Sequence, residues 1–280
     1  RLDAETIVKL YREGIPLDYV EKERGYAQSA FVAGVPTAIS YDIVRCGKQL
    51  GIVFELIDAV TFDRVLIEQH ETRDEKVRDY VSLLRCFHSS FDEKGMLPRI
   101  KDRFHEWIDC MGNDYTYEEL AIMHQVVDAV PDACTLVHGD FHPRNIMCQN
   151  GELIMIDMAD VSVGSPLFDL AGVGLTHKYY PTTTPGTVNH FMGLTADYML
   201  HLWDDVLRLY FPNADERKLA LLEHTILMIT SIRVAVNPAI VLGLEDDFRA
   251  GQVAYGKRFC ADRAKEALSL VAEWNAMCGQ

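Results

Sequence analysis

Three side chains between Val137 and Asp160 could act together on phosphate. The stretch reads VHGDFHPRNIMCQNGELIMIDMAD. Asp140 and Asn145 have the spacing D-x-x-x-x-N, and Asp157 follows a short apolar run. Phosphoryl transfer needs a carboxylate to orient the acceptor hydroxyl and take its proton. It also needs oxygen ligands for the metal that neutralises the phosphates. Asp140 would supply the first, and Asn145 with Asp157 the second. Hard oxygen donors of this kind suit Mg²⁺, which is usually held by one or two protein groups plus substrate phosphates. The spacing of Asp140 and Asn145 alone arises often by chance. Asp157, placed right after an apolar strand and one hairpin away, makes the arrangement specific. Solvated turn residues would account for either piece but not for both. His138 and His142 are four apart and invite a zinc reading. Gly139 and Pro143 break the helix that such a pair would need, and no third ligand follows at suitable spacing. A His at the head of such a loop more often braces the backbone.

The elements that must position these residues follow from pattern. Ile146-Met147-Cys148 and Leu153-Ile154-Met155-Ile156 flank Asn150-Gly151. Asn-Gly between two apolar runs predicts a hairpin, because a type I′ turn needs positive φ at both central positions. The hairpin brings the Asn145 end of one strand beside the Asp157 end of the other. Upstream, residues 5–11 read as a strand with Lys9 among apolar neighbours. Residues 18–31 read as a helix with Asp18 as N-cap, and residues 38–44 and 50–56 as two strands joined at Gly47-Lys48. A lone strand Lys is usually a solvated edge residue. Glu23, mid-helix in the next element, could cross over and pair with it, and a Lys held this way orients phosphates in kinases. The pattern breaks around residues 58–61, where a lobe boundary is expected.

Helices are expected at 62–70, 74–91, 100–110, 115–129, 166–179, 194–211, 214–236, 244–257 and 258–277. Residues 179–187 (YYPTTTPGT) read as a loop.

The 280 residues are 49% hydrophobic, enough for two lobes with ample core. A formal charge of -15 argues against a partner that is nucleic acid or an anionic membrane. It leans mildly towards a cationic substrate, though an acidic solvated surface explains it as well. The seven cysteines include no CxxC pair, so a reducing, cytoplasmic setting is expected. No apolar run reads as a membrane span and no signal peptide is evident.

HGDFHPRN followed by IDMADVSVGSPLFDLA closely resembles the aminoglycoside phosphotransferase and choline kinase superfamily of small-molecule kinases. The superfamily pattern is H-G-D-x-x-x-x-N, then I-D-x-x-D, then G-x-P-x-x-D-L-A, and the order and spacing match. IVKLYR, VEKE, GVP and GIVFELI match more loosely, so the resemblance covers about residues 5–175. The whole is most similar to a bacterial branch of phosphotransferases. Protein kinases share the architecture but carry Arg and Phe-Gly where this chain has Gly139 and Met158-Ala159.

The resemblance implies a protein-kinase-like α+β fold of two lobes. A small antiparallel-sheet lobe would span residues 1–57 and bind nucleotide. A mostly helical lobe would span 58–280 and carry catalysis and the acceptor. It implies Asp140 as catalytic base and Asn145 and Asp157 as Mg²⁺ ligands. Lys9, paired with Glu23, would contact the α/β-phosphates. Residues 55–57, from Glu55 to Ile57, would form the hinge that bonds adenine. His142 sits where protein kinases place a phosphate-contacting Lys. Asp160 and Asp169 would be structural, the latter bracing the catalytic loop. The phosphate-covering hairpin expected ahead of Lys9 is not in the sequence, which starts at Arg1, so a segment is expected upstream.

The expected activity is Mg²⁺-dependent transfer of the ATP γ-phosphoryl group to a hydroxyl of a small, amine-bearing or sugar-like acceptor. The sequence does not separate ATP from GTP. Two alternatives remain at this stage: a kinase-fold module that binds nucleotide or a partner without turnover, and phosphorylation of protein.

Overall fold

The structure, a computed structural model, describes every residue except 69, 242, 279 and 280. Position 69, inside the expected 62–70 helix, lies outside the described residues. The chain forms two compact units. The first comprises residues 1–97, 134–163 and 189–194. The second comprises residues 98–133, 164–188 and 195–280.

The first unit begins with a three-stranded antiparallel sheet in the order β1-β3-β2. Its strands are β1 (Thr6–Leu10), β2 (Ser40–Cys46) and β3 (Gln49–Glu55). β3 is central, and Lys9 stands opposite Ile52. Helix α1 (Leu17–Val32) turns Val20, Glu23, Ala27 and Ala30 inwards. That three-and-four spacing is one helical stripe, so Glu23 is carried on the buried face by the same pattern that packs the helix. Tyr11, Val20, Leu50 and Ile52 form the core between helix and sheet. Asp18 is not the N-cap expected for α1. Pro16 holds that position without a side-chain bond, and Asp18 lies in the first turn. There its charge still favours the helix dipole.

Two further small sheets complete this unit. β4 (Val60–Thr61), β6 (Ile146–Gln149) and β7 (Glu152–Met155) form one, and β5 (Leu136–Val137) pairs with β8 (Ser162–Val163) to form the other. The β6–β7 turn is the expected one, with Asn150 at φ 53° and Gly151 at φ 90°. Helices α2 (Phe62–Glu68) and α3 (Arg73–Ser89) follow β4.

The second unit is helical. It contains α4 (Ile100–Cys110), α5 (Tyr117–Ala129) and α6 (Pro166–Gly174), the last continued by a π-helical turn, Leu175–Tyr179. After these come α7 (Tyr180–Thr183), α8 (Pro185–Met192, whose residues from 189 on belong to the first unit), α9 (Ala196–Tyr210), α10 (Glu216–Ile240), α11 (Asp246–Asp262) and α12 (Ala264–Cys278). Three details differ from expectation. The 179–187 stretch is two short helices rather than a loop. Its prolines fall in first turns, where no N–H is needed, and Thr182 and Thr183 hydroxyls donate back to the carbonyls of Lys178 and Tyr179. α5 starts at Tyr117, because Thr116 and Glu119 close a capping box. The break between the last two helices falls at Arg263 rather than between residues 257 and 258.

α10 also corrects the membrane reading. Its 25 residues include an 18-residue window of mean hydropathy 1.6, long and apolar enough to span a bilayer by length and composition. Every residue from Met228 to Asn237 is buried inside the unit. A helix apolar on all sides is also what a core helix looks like.

Candidate active site

The loop 138–145 is set by glycine and histidine. Gly139 has φ +83°, and a Cβ there would lie 2.8 Å from both the Cβ and the carbonyl oxygen of Asp160. Only glycine accepts both the dihedral and the close approach. His138 is fully buried. Its Nδ1 accepts the N–H of Asp140 at 3.2 Å. Its other nitrogen, Nε2, therefore carries the proton and donates to the Ile156 carbonyl at 3.3 Å. One ring thus ties the Asp140 loop to the strand that leads to Asp157. His138 is a brace, which removes the zinc reading of the pair.

Asp140 is fixed from two sides. The Asn145 amide donates to the Asp140 carbonyl at 3.0 Å and to Asp140 Oδ2 at 3.1 Å. His142 Nε2 lies 3.3 Å from the same Oδ2. With its N–H₂ committed to Asp140, the Asn145 amide oxygen is the atom of that side chain that a metal could use. The Ile156 N–H donates to the Asn145 carbonyl at 2.8 Å and so fixes that residue beside the segment carrying Asp157. Asp157 itself is left-handed, at φ 62° and ψ 73°. A non-glycine residue there is uncommon, and such strain clusters at functional sites.

Lys9 joins the other half. Its Nζ donates to Glu23 Oε1 at 2.6 Å and to Asp157 Oδ1 at 2.7 Å. The crossing expected between Lys9 and Glu23 is therefore made, and Asp157 is a second partner that the sequence did not suggest. Burial disfavours the Lys9 ammonium, but the Asp157 and Glu23 carboxylates more than offset it and hold its pKa above the usual lysine value. Glu23 Oε2 is buried with no partner among the described residues.

Beside these groups lies a cavity of about 280 Å³. Lys9, Glu23 and Asp157 line it together with Ile7, Val8, Ala38, Phe54, Met147 and Ile156. Residues 55–57 (Glu55, Leu56 and Ile57) line it as well. It is mostly apolar, with a few charged groups, as small-molecule sites tend to be. The structure thus joins Asp140, His142 and Asn145 in one cluster, and Lys9, Glu23 and Asp157 in another. Glu55 and Ile57 share the cavity with the second cluster. Asp169 is buried in α6, in the other unit.

Arg144 and Phe191 were not foreseen. The Arg144 guanidinium donates to the Phe191 carbonyl and stacks on its ring. Arg144 lies inside the motif, but nothing in the sequence names a partner 47 residues downstream.

The donors fit Mg²⁺. Asp157 and Asn145 supply a carboxylate and an amide oxygen, both hard. Lys9 beside Asp157 is suited to a phosphate rather than to the metal. Two protein ligands suffice where phosphates complete the shell. Among the described residues, no group of three or more His, Cys, Asp or Glu side chains is arranged to hold a metal alone.

Solved structures similar to this chain include small-molecule kinases. A choline/ethanolamine kinase family protein from Mesorhizobium loti superposes with a TM-score of 0.56 at 14% identity, covering 96% of this chain and 87% of that one. Aminoglycoside phosphotransferase APH(2'')-Ib, bound to ADP, gives 0.53 at 15%, with 94% and 88% covered. The amicoumacin kinase hAmiN, with AMP-PNP, Ca²⁺ and Ami, gives 0.56 at 15%, with 92% and 82% covered. No curated protein sequence matches the chain. The fold is therefore the kinase-like α+β fold of two lobes. Residues 1–192 match the phosphotransferase enzyme family, and the chain belongs to it.

Proposed function

We propose that this phosphotransferase moves the γ-phosphoryl group of ATP, with Mg²⁺, onto a hydroxyl of a small molecule. The observation that carries the reading is the Lys9 contact with both Glu23 and Asp157 at the end of the cavity. A cation held between two carboxylates, beside an apolar slot, suits a nucleotide whose phosphates reach towards Asp157. Solved relatives of the same fold were captured with ADP and AMP-PNP.

In this reading residues 1–57 bind the nucleotide and 58–280 carry catalysis and the acceptor. Adenine lies in the cavity against Phe54 and Met147 and bonds backbone groups of residues 55–57. Lys9 orients the α/β-phosphates. Asp157 and Asn145 would hold Mg²⁺, which when bound would supply positive charge against the phosphates. Asp140 accepts the proton of the acceptor hydroxyl as it attacks. Asn145 and His142 keep its carboxylate in place, so catalysis is mostly positioning and charge neutralisation. The acidic balance leans towards an amine-bearing acceptor, and relatives of the fold are named for choline, ethanolamine and aminoglycosides.

Changing Asp140→Asn should lower turnover by about a hundredfold or more, as for loss of a general base, with MgATP binding kept. ADP release against a panel of amines, sugars and aminoglycosides measures this and identifies the acceptor. Near-normal turnover of Asp140→Asn would sink the assignment. The second reading, a module that binds nucleotide without turnover, would be favoured by MgATP binding with no ADP release on any acceptor.

A further inference from the structure

We propose that Phe191, pinned by Arg144, is a positioning residue: it fixes the His142 ring against Asp140 and so sets the orientation of the carboxylate that meets the acceptor. The proposal rests on the phosphotransfer reading above.

His142 is only 4% exposed, yet it has few polar grips. Nε2 lies 3.3 Å from Asp140 Oδ2. Nδ1 is buried without a partner among the described residues. A carboxylate only accepts hydrogen bonds, so His142 serves Asp140 by turning an Nε2–H towards it. The second torsion of histidine is broad and roughly two-fold. One long polar contact does not stop the ring from turning, and packing must do it. The Phe191 ring meets the His142 ring at 77° with centroids 5.4 Å apart. That edge-on arrangement is a favoured one for aromatic pairs.

Phe191 is itself half exposed and needs an anchor. Arg144 supplies one. Its Nη1 donates to the Phe191 carbonyl at 2.5 Å, and its guanidinium carbon lies 5.0 Å from the centre of the Phe191 ring. On its other side, Arg144 Nε is 3.9 Å from Asp63 Oδ2 in α2. Asp63 is held in turn, since its Oδ1 accepts the N–H of Arg64. The flanking Met192 and Leu194 are buried. Arg144 thus ties the loop between His142 and Asn145 to two other elements. A planar guanidinium can donate and stack at once, which an ammonium cannot do as well.

The test uses the full chain, with MgATP and the acceptor giving the fastest ADP release. Phe191→Ala should lower kcat by about tenfold, while KM for MgATP stays within about twofold, because Lys9, Glu23 and Asp157 are untouched. In a His142→Asn background the same change should cost less than about twofold, the non-additivity expected of residues acting through one another. Arg144→Lys should fall between wild type and Phe191→Ala. Long-range ¹H–¹⁵N spectra should show an Nε2-bound proton on His142 in the wild type and a changed ring signal in Phe191→Ala. That arm needs no turnover. A changed ring signal in a chain that phosphorylates nothing would fail the phosphotransfer reading, and the positioning role with it, while the contact itself stood. With transfer present, wild-type kcat in Phe191→Ala, simple additivity with His142→Asn or an unchanged His142 signal would each overturn the proposal.

Discussion

Lys9 is the residue on which the proposed nucleotide half of the site turns. It is about a third exposed, so water screens part of its attraction to Glu23 and Asp157. Its pKa is nevertheless raised, and the sign of the consequence is fixed. A cation whose pKa is higher in the folded state contributes stability that is complete below the ordinary lysine value, about 10.4. That contribution is lost as pH climbs through the raised value. Lys9→Met should therefore melt at a lower temperature than wild type near neutrality, and the difference should shrink in strongly alkaline buffer. A constant difference up to the alkaline limit would mean that the ion pairs do not contribute. MgATP affinity should fall at least tenfold in the same variant, measured by calorimetry. Residues of this kind were legible in the sequence when their chemistry was unusual for their place. A lysine in an apolar strand and an Asp directly after one are such cases. Phe191 was not legible, because an aromatic in the short stretch VNHFMGL carries no motif and no spacing that ties it to the catalytic-loop pattern.

At the scale of elements, the sheet positions Lys9 through a glycine. A Cβ on Gly51 would stand 2.6 Å from Val8 Cγ1 and 2.9 Å from the Lys9 carbonyl oxygen. β3 can approach β1 this closely only without a side chain there. Gly51→Ala should push β1 outward and carry Lys9 with it. Overpacking of this kind costs about 1–3 kcal/mol. A lowered urea midpoint together with weaker MgATP binding is expected, and an unchanged midpoint would contradict the packing argument. The β6–β7 hairpin was legible because Asn150-Gly151 leaves few other backbone choices. The short helices α7 and α8 were hidden for the opposite reason. Pro181 and Pro185 usually punctuate loops, and only the first-turn placement makes them helix starters. The start of α5 was missed by two residues because its capping box competes with the apolar pattern.

Across the whole molecule, thiol chemistry reports on the helical unit. Cys260 in α11 is buried, with its sulfur 3.7 Å from the Glu119 carbonyl in α5. Burial, with the Glu119 charge adding, pushes its thiol up to about 12. Cys46, Cys110 and Cys134 are exposed. At pH 8 iodoacetamide should label these three quickly and Cys260 only when α11 opens, as mass spectrometry of peptides can show. Equal labelling of all four would disprove the burial argument. The first unit, by contrast, draws its last piece from far along the chain. Its sheets and the loop 138–145 end by residue 163, yet it also takes residues 189–194. A growing chain emits Asp140 about fifty residues before Phe191, a lag on the order of several seconds at ordinary rates of synthesis. Over that interval the proposed base has left the ribosome without the aromatic proposed to steady its histidine. The order of translation thus delays completion of the proposed transfer site until the first helices of the helical unit have also been made.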